Sequence, residues 1–462
     1  MHNAPSLPPP IRNLSLLALG CLSLAGCLGS GTGDIPSSIE IKTSGQSASG
    51  GTTTTQLTGN GTTTTNPFTV TAVRPGALFS TGGTNFSITP ALNASASSSL
   101  NQDATNFYAA FYSFLADYFK TSVQPPTCDS KWGTFGPGKW PAACWRPFSD
   151  DSPFNKPIPA NPKLVANSAQ LVAWLNSGTG TPNDLQVIDV TVGPQNDYGH
   201  PTYYSSPTDP EFTVEYTTNW GPFTLPEGSK IRIPDAAKPA GGLDHSLTVA
   251  DQSNGMVYSF WNVTQKPAGG GVLKAGSGGQ RAITSQGIGS PGYATGGTAA
   301  GYSLLAGIIR AQELVGGQIN HALYAIVNCS ASTFVWPAIQ GAYICPGDPG
   351  IPNGTHFYLD YSLAEINALP VPDWKKTILR AMATYGMFVG DTGGPSGPRW
   401  AIQVESGQTY VSLGYPQPLI TFAQLQGIPN AGNQYRFPLK DGVDWTRLKV
   451  LDPCVAQGTC SN

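Results

Sequence analysis

Six polar side chains stand where chemistry could be done: Asp244, His245, Arg310, His321, Tyr385 and Asp391. Asp244 and His245 open the stretch "DHSLTVADQSNGMVYSFWNV" (244–263), which reads as two strands around the turn "DQSNG", with Val, Tyr, Phe and Trp supplying β-favouring bulk. Alternation along such a strand sets His245 on the side of Leu247 and Val249, and Asp244 on the polar side with Ser246 and Thr248. Asp391 ends the short apolar run "MFVGD" just before the Gly-rich loop "TGGPSG". A carboxylate there either serves a site or caps its own loop. His321 begins the apolar run "HALYAIV", where it is equally able to be a core histidine; Arg310 and Glu313 stand three apart in "RAQE" and would pair on one helix turn.

These residue types suit two reactions. Two carboxylates on one cleft are the equipment of glycoside hydrolysis, one as acid and the other as base or nucleophile. Arg310 with His321 or Tyr385 would instead suit β-elimination on a uronate, the arginine neutralising the substrate carboxylate while its companion takes the α-proton. The expected catalytic set is Asp244, Asp391 and His321, with Arg310, Tyr385 and His245 binding substrate. Other chemistries lack their signatures. There is no GxSxG elbow, and the glycines of "AGGGVLKAGSGGQ" follow no strand that opens a helix. "DQSNG" resembles a calcium loop but lacks the later glutamate, no CxxC or HxxxH spacing occurs, and neither a metal nor a cofactor is expected.

The elements that must position these residues read as mainly β. Charged residues make up 11 % of the chain, while Gly (55) and Pro (41) are abundant, which favours a loop-rich β protein. Strand patterns occur in "LQVIDVTV", "FTVEYTT" and "SKIRIP", in the 244–263 hairpin, and in "QINHALYAIVN" (318–328), apolar on both faces and therefore central. "SAQLVAWLN" (168–176) reads as a short helix, and "YSLLAGIIRAQEL" as partly helical. "VPDWKKTILRAMATYG" (372–386) is the clearest amphipathic helix, with Trp374, Ile378, Met382 and Tyr385 on one side, Lys375, Lys376 and Arg380 on the other, and Gly386 as its stop. The expected fold is an antiparallel β-sandwich-like domain with a few short helices.

The N-terminus bears on location. "LSLLALGCLSLAG" is too short to span a bilayer, and Leu24-Ala25-Gly26-Cys27 has the form of a lipobox cut before Cys27. Residues 1–26 then form a lipoprotein signal peptide and Cys27 carries the lipid. The expected location is the cell surface or outer membrane, since Leu28 is not the Asp that favours inner-membrane retention. Residues 27–66, rich in Gly, Ser and Thr, read as a flexible tether. Residues 67–124 read as a hairpin around "STGG" followed by an amphipathic helix over 100–120, and 125–462 as the main domain. Removing residues 1–26 removes one counted charge, Arg12, and takes the net charge from −3 to −4. No basic stripe invites nucleic acid. The expected partners are a polysaccharide or oligosaccharide and, through Cys27, the membrane; a monomer is expected. Six further cysteines suggest disulfides between sequence neighbours: Cys128 with Cys144, Cys329 with Cys345, and Cys454 with Cys460.

Several blocks occur together: "DSPFNKPIP", "GGLDHSLTVADQSNGMVYSFWN", "AGIIRAQELVGGQINHALYAIV", "HFYLDYS", "ILRAMATYGMFVGDTGG" and "DWTRLKVLDPC". As a set, over roughly 147–454, they resemble a group of secreted bacterial proteins common in actinobacteria and soil species. The resemblance implies one continuous domain and places Asp244, Arg310, His321, Tyr385 and Asp391 in shared blocks; His245 departs from the group's pattern. The group brings no reaction with it. The sequence therefore leaves three functions open: a carbohydrate-active enzyme, hydrolase before lyase; a non-catalytic glycan-binding surface protein; and another hydrolase.

Overall fold

The computed structural model describes residues 131–294, 296–342, 345 and 347–460, together with four strand segments nearer the N-terminus. The chain divides into two compact units, Met1–Ser122 and Val123–Asn462. In the first, Ile39–Lys42, Thr53–Gly59, Phe68–Ala72 and Ser87–Thr89 form a four-stranded antiparallel sheet in sequence order. The last two are the strands expected around "STGG". The first two fall inside the stretch read as a tether, where β-branched Thr and the Ile39/Ile41 alternation suit extended backbone. The 100–120 helix and Cys27 lie outside the described residues.

The second unit is mainly β with a few short helices. Its largest sheet has five strands, ordered Trp400–Ile402, Leu323–Val327, Met387–Thr392, His356–Leu359 and Leu448–Leu451. Leu323–Val327 and Met387–Thr392 run parallel, and every other neighbour in this sheet is antiparallel. One face of the parallel pair (Leu323, Ala325, Val327, Met387, Val389) feeds a core shared with Ile378, Met382 and Trp400. The other (Tyr324, Phe388) feeds a second core with Phe154, Tyr302 and Trp145. Burial on both faces explains the unbroken apolar run that marked this strand as central.

A four-stranded sheet carries the expected hairpin, Leu247–Asp251 against Met256–Trp261, flanked by Ser277–Ala282 and by Thr202–Ser205, the latter parallel to Leu247–Asp251. A three-stranded sheet of Gly271–Ala275, Glu211–Tyr216 and Lys230–Arg232 shares its core with this one. The parallel pairings need long crossovers, which the loops of this Gly/Pro-rich chain provide.

The amphipathic helix spans Asp373–Thr384, with Trp374, Ile378 and Met382 buried as expected. Lys375 is a correction: it is buried rather than on the wet side, because its Nζ donates to the carbonyls of Pro438 (2.9 Å) and Asp441. Burial lowers its pKa to about 8. Disulfides join Cys329 to Cys345 and Cys454 to Cys460. Cys128 lies outside the described residues.

Candidate functional site

Asp391 sits one residue from the end of Met387–Thr392, where the parallel ladder slips: Ala325 faces Val389 and Ile326 faces Asp391, leaving Gly390 as a bulge. A Cβ on Gly390 would lie 2.2 Å from the Tyr324 ring, so only glycine lets that ring cross the bulge. The Tyr324 hydroxyl then reaches Asp391 Oδ2 at 3.4 Å. Asp391 Oδ1 accepts from the Thr392 N–H at 2.8 Å, and the Ala299 N–H also donates to this carboxyl. Ala299 is held over the strand because the Ala300 N–H donates to the Gly390 carbonyl at 2.9 Å. By exposed area the Asp391 residue is half-buried, while protein crowds its carboxyl. That burial, offset by the hydrogen bonds and increased by the negative charge of Asp244, pushes its pKa up to about 7.

Asp244 thus lies within electrostatic reach of Asp391, although 147 positions separate them (391 − 244). It does not open a strand. Leu247–Asp251 begins three residues later, and His245 takes a left-handed φ of +40°, so the alternation argument fails across the 241–246 turn. The turn is held to the far end of the hairpin: the Asn262 N–H donates to the Asp244 carbonyl (2.7 Å) and the Val263 N–H to that of His245 (3.1 Å). Asp244 Oδ1 accepts from Trp261 Nε1–H at 3.0 Å. His245 is half-buried, with Nδ1 3.2 Å from the Ala240 carbonyl. Asp244 and Asp391 form no ion pair among the described residues.

Arg310 and His321 come together, but with each other. Arg310 Nη2 donates to Glu313 Oε1 at 2.7 Å, His321 Nε2 meets the same oxygen at 2.9 Å, and the three side chains are 1 %, 4 % and 0 % exposed for Arg310, His321 and Glu313. Arg310 also donates to the Trp145 carbonyl at 2.7 Å and lies over the Trp145 ring. Burial raises the Glu313 pKa, but the Arg310 charge and His321 outweigh it and hold the carboxyl below its ordinary value. This is an internal ion cluster in which Arg310 Nε alone is left without a hydrogen-bond partner, and neither Arg310 nor His321 hydrogen-bonds to Asp244 or Asp391. Tyr385 follows the Asp373–Thr384 helix, half-buried against the second core, and its carbonyl meets His356 Nε2 at 2.8 Å.

Two side chains that the sequence reading passed over belong beside the aspartates. Tyr324 is one. His200, from "YGHP", is buried with its ring edge-on to Tyr324 at 5.6 Å. Its Nδ1 is 2.9 Å from the Leu304 carbonyl; a carbonyl can only accept, so Nδ1 carries the hydrogen and Nε2 is the bare nitrogen. Burial lowers His200 to about 4, against the opposing charge of Asp244, so the ring is neutral at physiological pH. Next to it, Asp197 accepts from the Ser406 hydroxyl (2.5 Å), and Glu405 accepts from the Ala311 N–H (3.1 Å) and the Tyr410 hydroxyl (2.8 Å). Burial raises these carboxyls to about 6 and about 7. Isolated His and Asp residues among Gly and Pro gave no periodicity from which this grouping could be read.

The arrangement therefore offers a carboxyl protonated near neutral pH, a second carboxylate within its field, and a neutral imidazole and a phenol close by. No group of three or more His, Cys, Asp or Glu among the described residues could hold a metal ion. No known protein family, curated protein or solved structure matches the chain.

Proposed function

We propose that this protein is an extracytoplasmic carbohydrate-active enzyme, a glycoside hydrolase acting on a polysaccharide, with Asp391 as general acid and Asp244 as its carboxylate partner. The observation that carries the reading is that Asp391, pushed up to about 7 chiefly by burial, lies within the field of Asp244, 147 positions away in the chain. A buried carboxyl that keeps its proton near neutral pH, with a second carboxyl group close by, suits protonation of a glycosidic oxygen on one side while the second group acts on the other. Uronate elimination is disfavoured because Arg310, which would neutralise the substrate carboxylate, is consumed by Glu313. Export and acylation at Cys27 belong to the same proposal.

The test is the purified protein on a panel of polysaccharides, with Asp391→Asn and Asp244→Asn beside the wild type. New reducing ends, lowered at least about 10²-fold in either mutant, support the reading. Products with unsaturated-uronate absorbance would replace it with a lyase, and binding without products with a glycan-binding protein.

A further inference from the structure

Eight large hydrophobic side chains are strongly exposed among the described residues, and four of them attach to the loops around Asp244: Tyr198, Trp220, Leu243 and Tyr293. Trp220 is 53 % exposed and stacks on Trp261 at 5.2 Å with a 24° interplanar angle. Trp261 is a fixed base. Its Nε1–H donates to Asp244, and its ring lies over Gly276, where a Cβ would come within 2.7 Å of it. With one face on this base and half its surface exposed, Trp220 presents a flat apolar face to solvent. The loop of Tyr293 is tied to that of Trp220, since the Ala294 N–H donates to the Pro222 carbonyl at 2.8 Å. Tyr198 and Leu243 flank another link, from the Gly242 N–H to the Asp197 carbonyl at 2.7 Å. Scattered exposed apolar residues need no explanation, but a set attached to one candidate site does.

Resting on the reading of Asp244 and Asp391 given above, we infer that the Trp220–Trp261 stack is a sugar-stacking platform and that the surface beside Asp244 takes an internal stretch of an extended, uncharged polysaccharide. The flat faces of pyranose rings match exposed indole and phenol faces, and Tyr198 and Tyr293, on linked loops, add exposed rings to that of Trp220. Charge selects the class. Asp244 has no cationic partner among the described residues and Asp391 adds no positive charge, so an anionic polymer would meet no compensating cation there.

The experiment is affinity electrophoresis of the full chain in gels containing neutral polymers (mixed-linkage glucan, xylan, mannan) or anionic ones (polygalacturonate, alginate). Trp220→Ala runs beside the wild type after a melt has established that it folds. The expected result is retardation by at least one neutral polymer and by neither anionic one, with Kd raised about tenfold in Trp220→Ala. Equal retardation of mutant and wild type, retardation by the anionic polymers, or none in any gel would overturn the inference. Cleavage of short oligosaccharides by the same preparations separates the two readings. Asp391-dependent cleavage without polymer binding removes the platform and leaves the catalytic pair, whereas Trp220-dependent binding without cleavage keeps the platform and removes the hydrolase.

Discussion

Replacing Asp391 by asparagine should weaken catalysis and strengthen the fold, and the second effect has a size and a pH dependence. The carboxyl titrates at about 7 in the fold against an ordinary value of 3.8. Between those values the native state holds a proton that the unfolded chain has released. The Asp391 contribution to wild-type stability is therefore most favourable below about 4, falls as pH rises, and is fully lost once pH passes about 7. Asparagine has nothing to titrate and escapes that loss. Two pH units of the window lie between pH 5 and the folded pKa, so from pH 5 to pH 8 the mutant should gain about 3 kcal/mol on the wild type. Hydrogen bonds disturbed at Thr392 and Tyr324 contribute equally at both pH values and drop out of the difference. So do Glu405 and Asp197, which titrate in both proteins. The assay is urea unfolding of both proteins at pH 5 and pH 8, with equal m-values as the condition for comparing them. Turnover on the best panel substrate is measured in parallel. A ΔΔG that is the same at both pH values, or more unfavourable to the mutant at pH 8, would mean that Asp391 is ionised in the native state and cannot be the acid.

Three further outcomes are expected. Glu313→Ala strands Arg310 and His321 without their anion and should cost about 3–5 kcal/mol, read by chemical denaturation, because a buried charge loses its partner. Gly390→Ala forces the Tyr324 ring away from its 2.2 Å approach; about 1–3 kcal/mol of destabilisation should accompany a loss of turnover, the first read by melting and the second on the panel substrate. Cys27→Ala should move the protein from the detergent phase to the aqueous phase in a partitioning assay, and identical partitioning of the two would refute acylation.

The fold was legible wherever local pattern and tertiary position agree. The 244–263 hairpin, the Leu323–Val327 strand and the Asp373–Thr384 helix all announce themselves through bulk and period, because both faces of the strand and one face of the helix are buried. Long-range pairing was not legible. Arg310 and Glu313 are three apart and were expected to pair, but His321 joins them only because the chain turns back after Ala311–Gly316. Lys375 looked solvated from its neighbours, and only the carbonyls of the 438–441 loop, more than sixty residues on, bury it. Asp244 was displaced from its expected strand by the left-handed backbone at His245, a conformation that a non-glycine residue does not advertise. Trp220 and Trp261 are 41 positions apart (261 − 220) and belong to different sheets or their loops, so their stacking is a product of the fold alone.

The bulge at Gly390 reverses parity along its strand. Counting by twos from Met387 and Val389 would aim Asp391 into the core that those residues share with Ile378 and Trp400. The register slip instead sets Asp391 opposite Ile326, on the face of Tyr324 and Phe388. A single extra residue therefore interrupts the ladder at the Tyr324 crossing, while Asp391 takes the place opposite Ile326 and the core half of the strand keeps its packing. Deleting Gly390 should close the slip and leave Asp391 directly after Val389, still opposite Ile326 and on the face of Tyr324 and Phe388. Beyond the bulge the ladder resumes with Thr392 opposite Val327, so the irregularity is confined to the one residue whose missing side chain makes room for the Tyr324 ring.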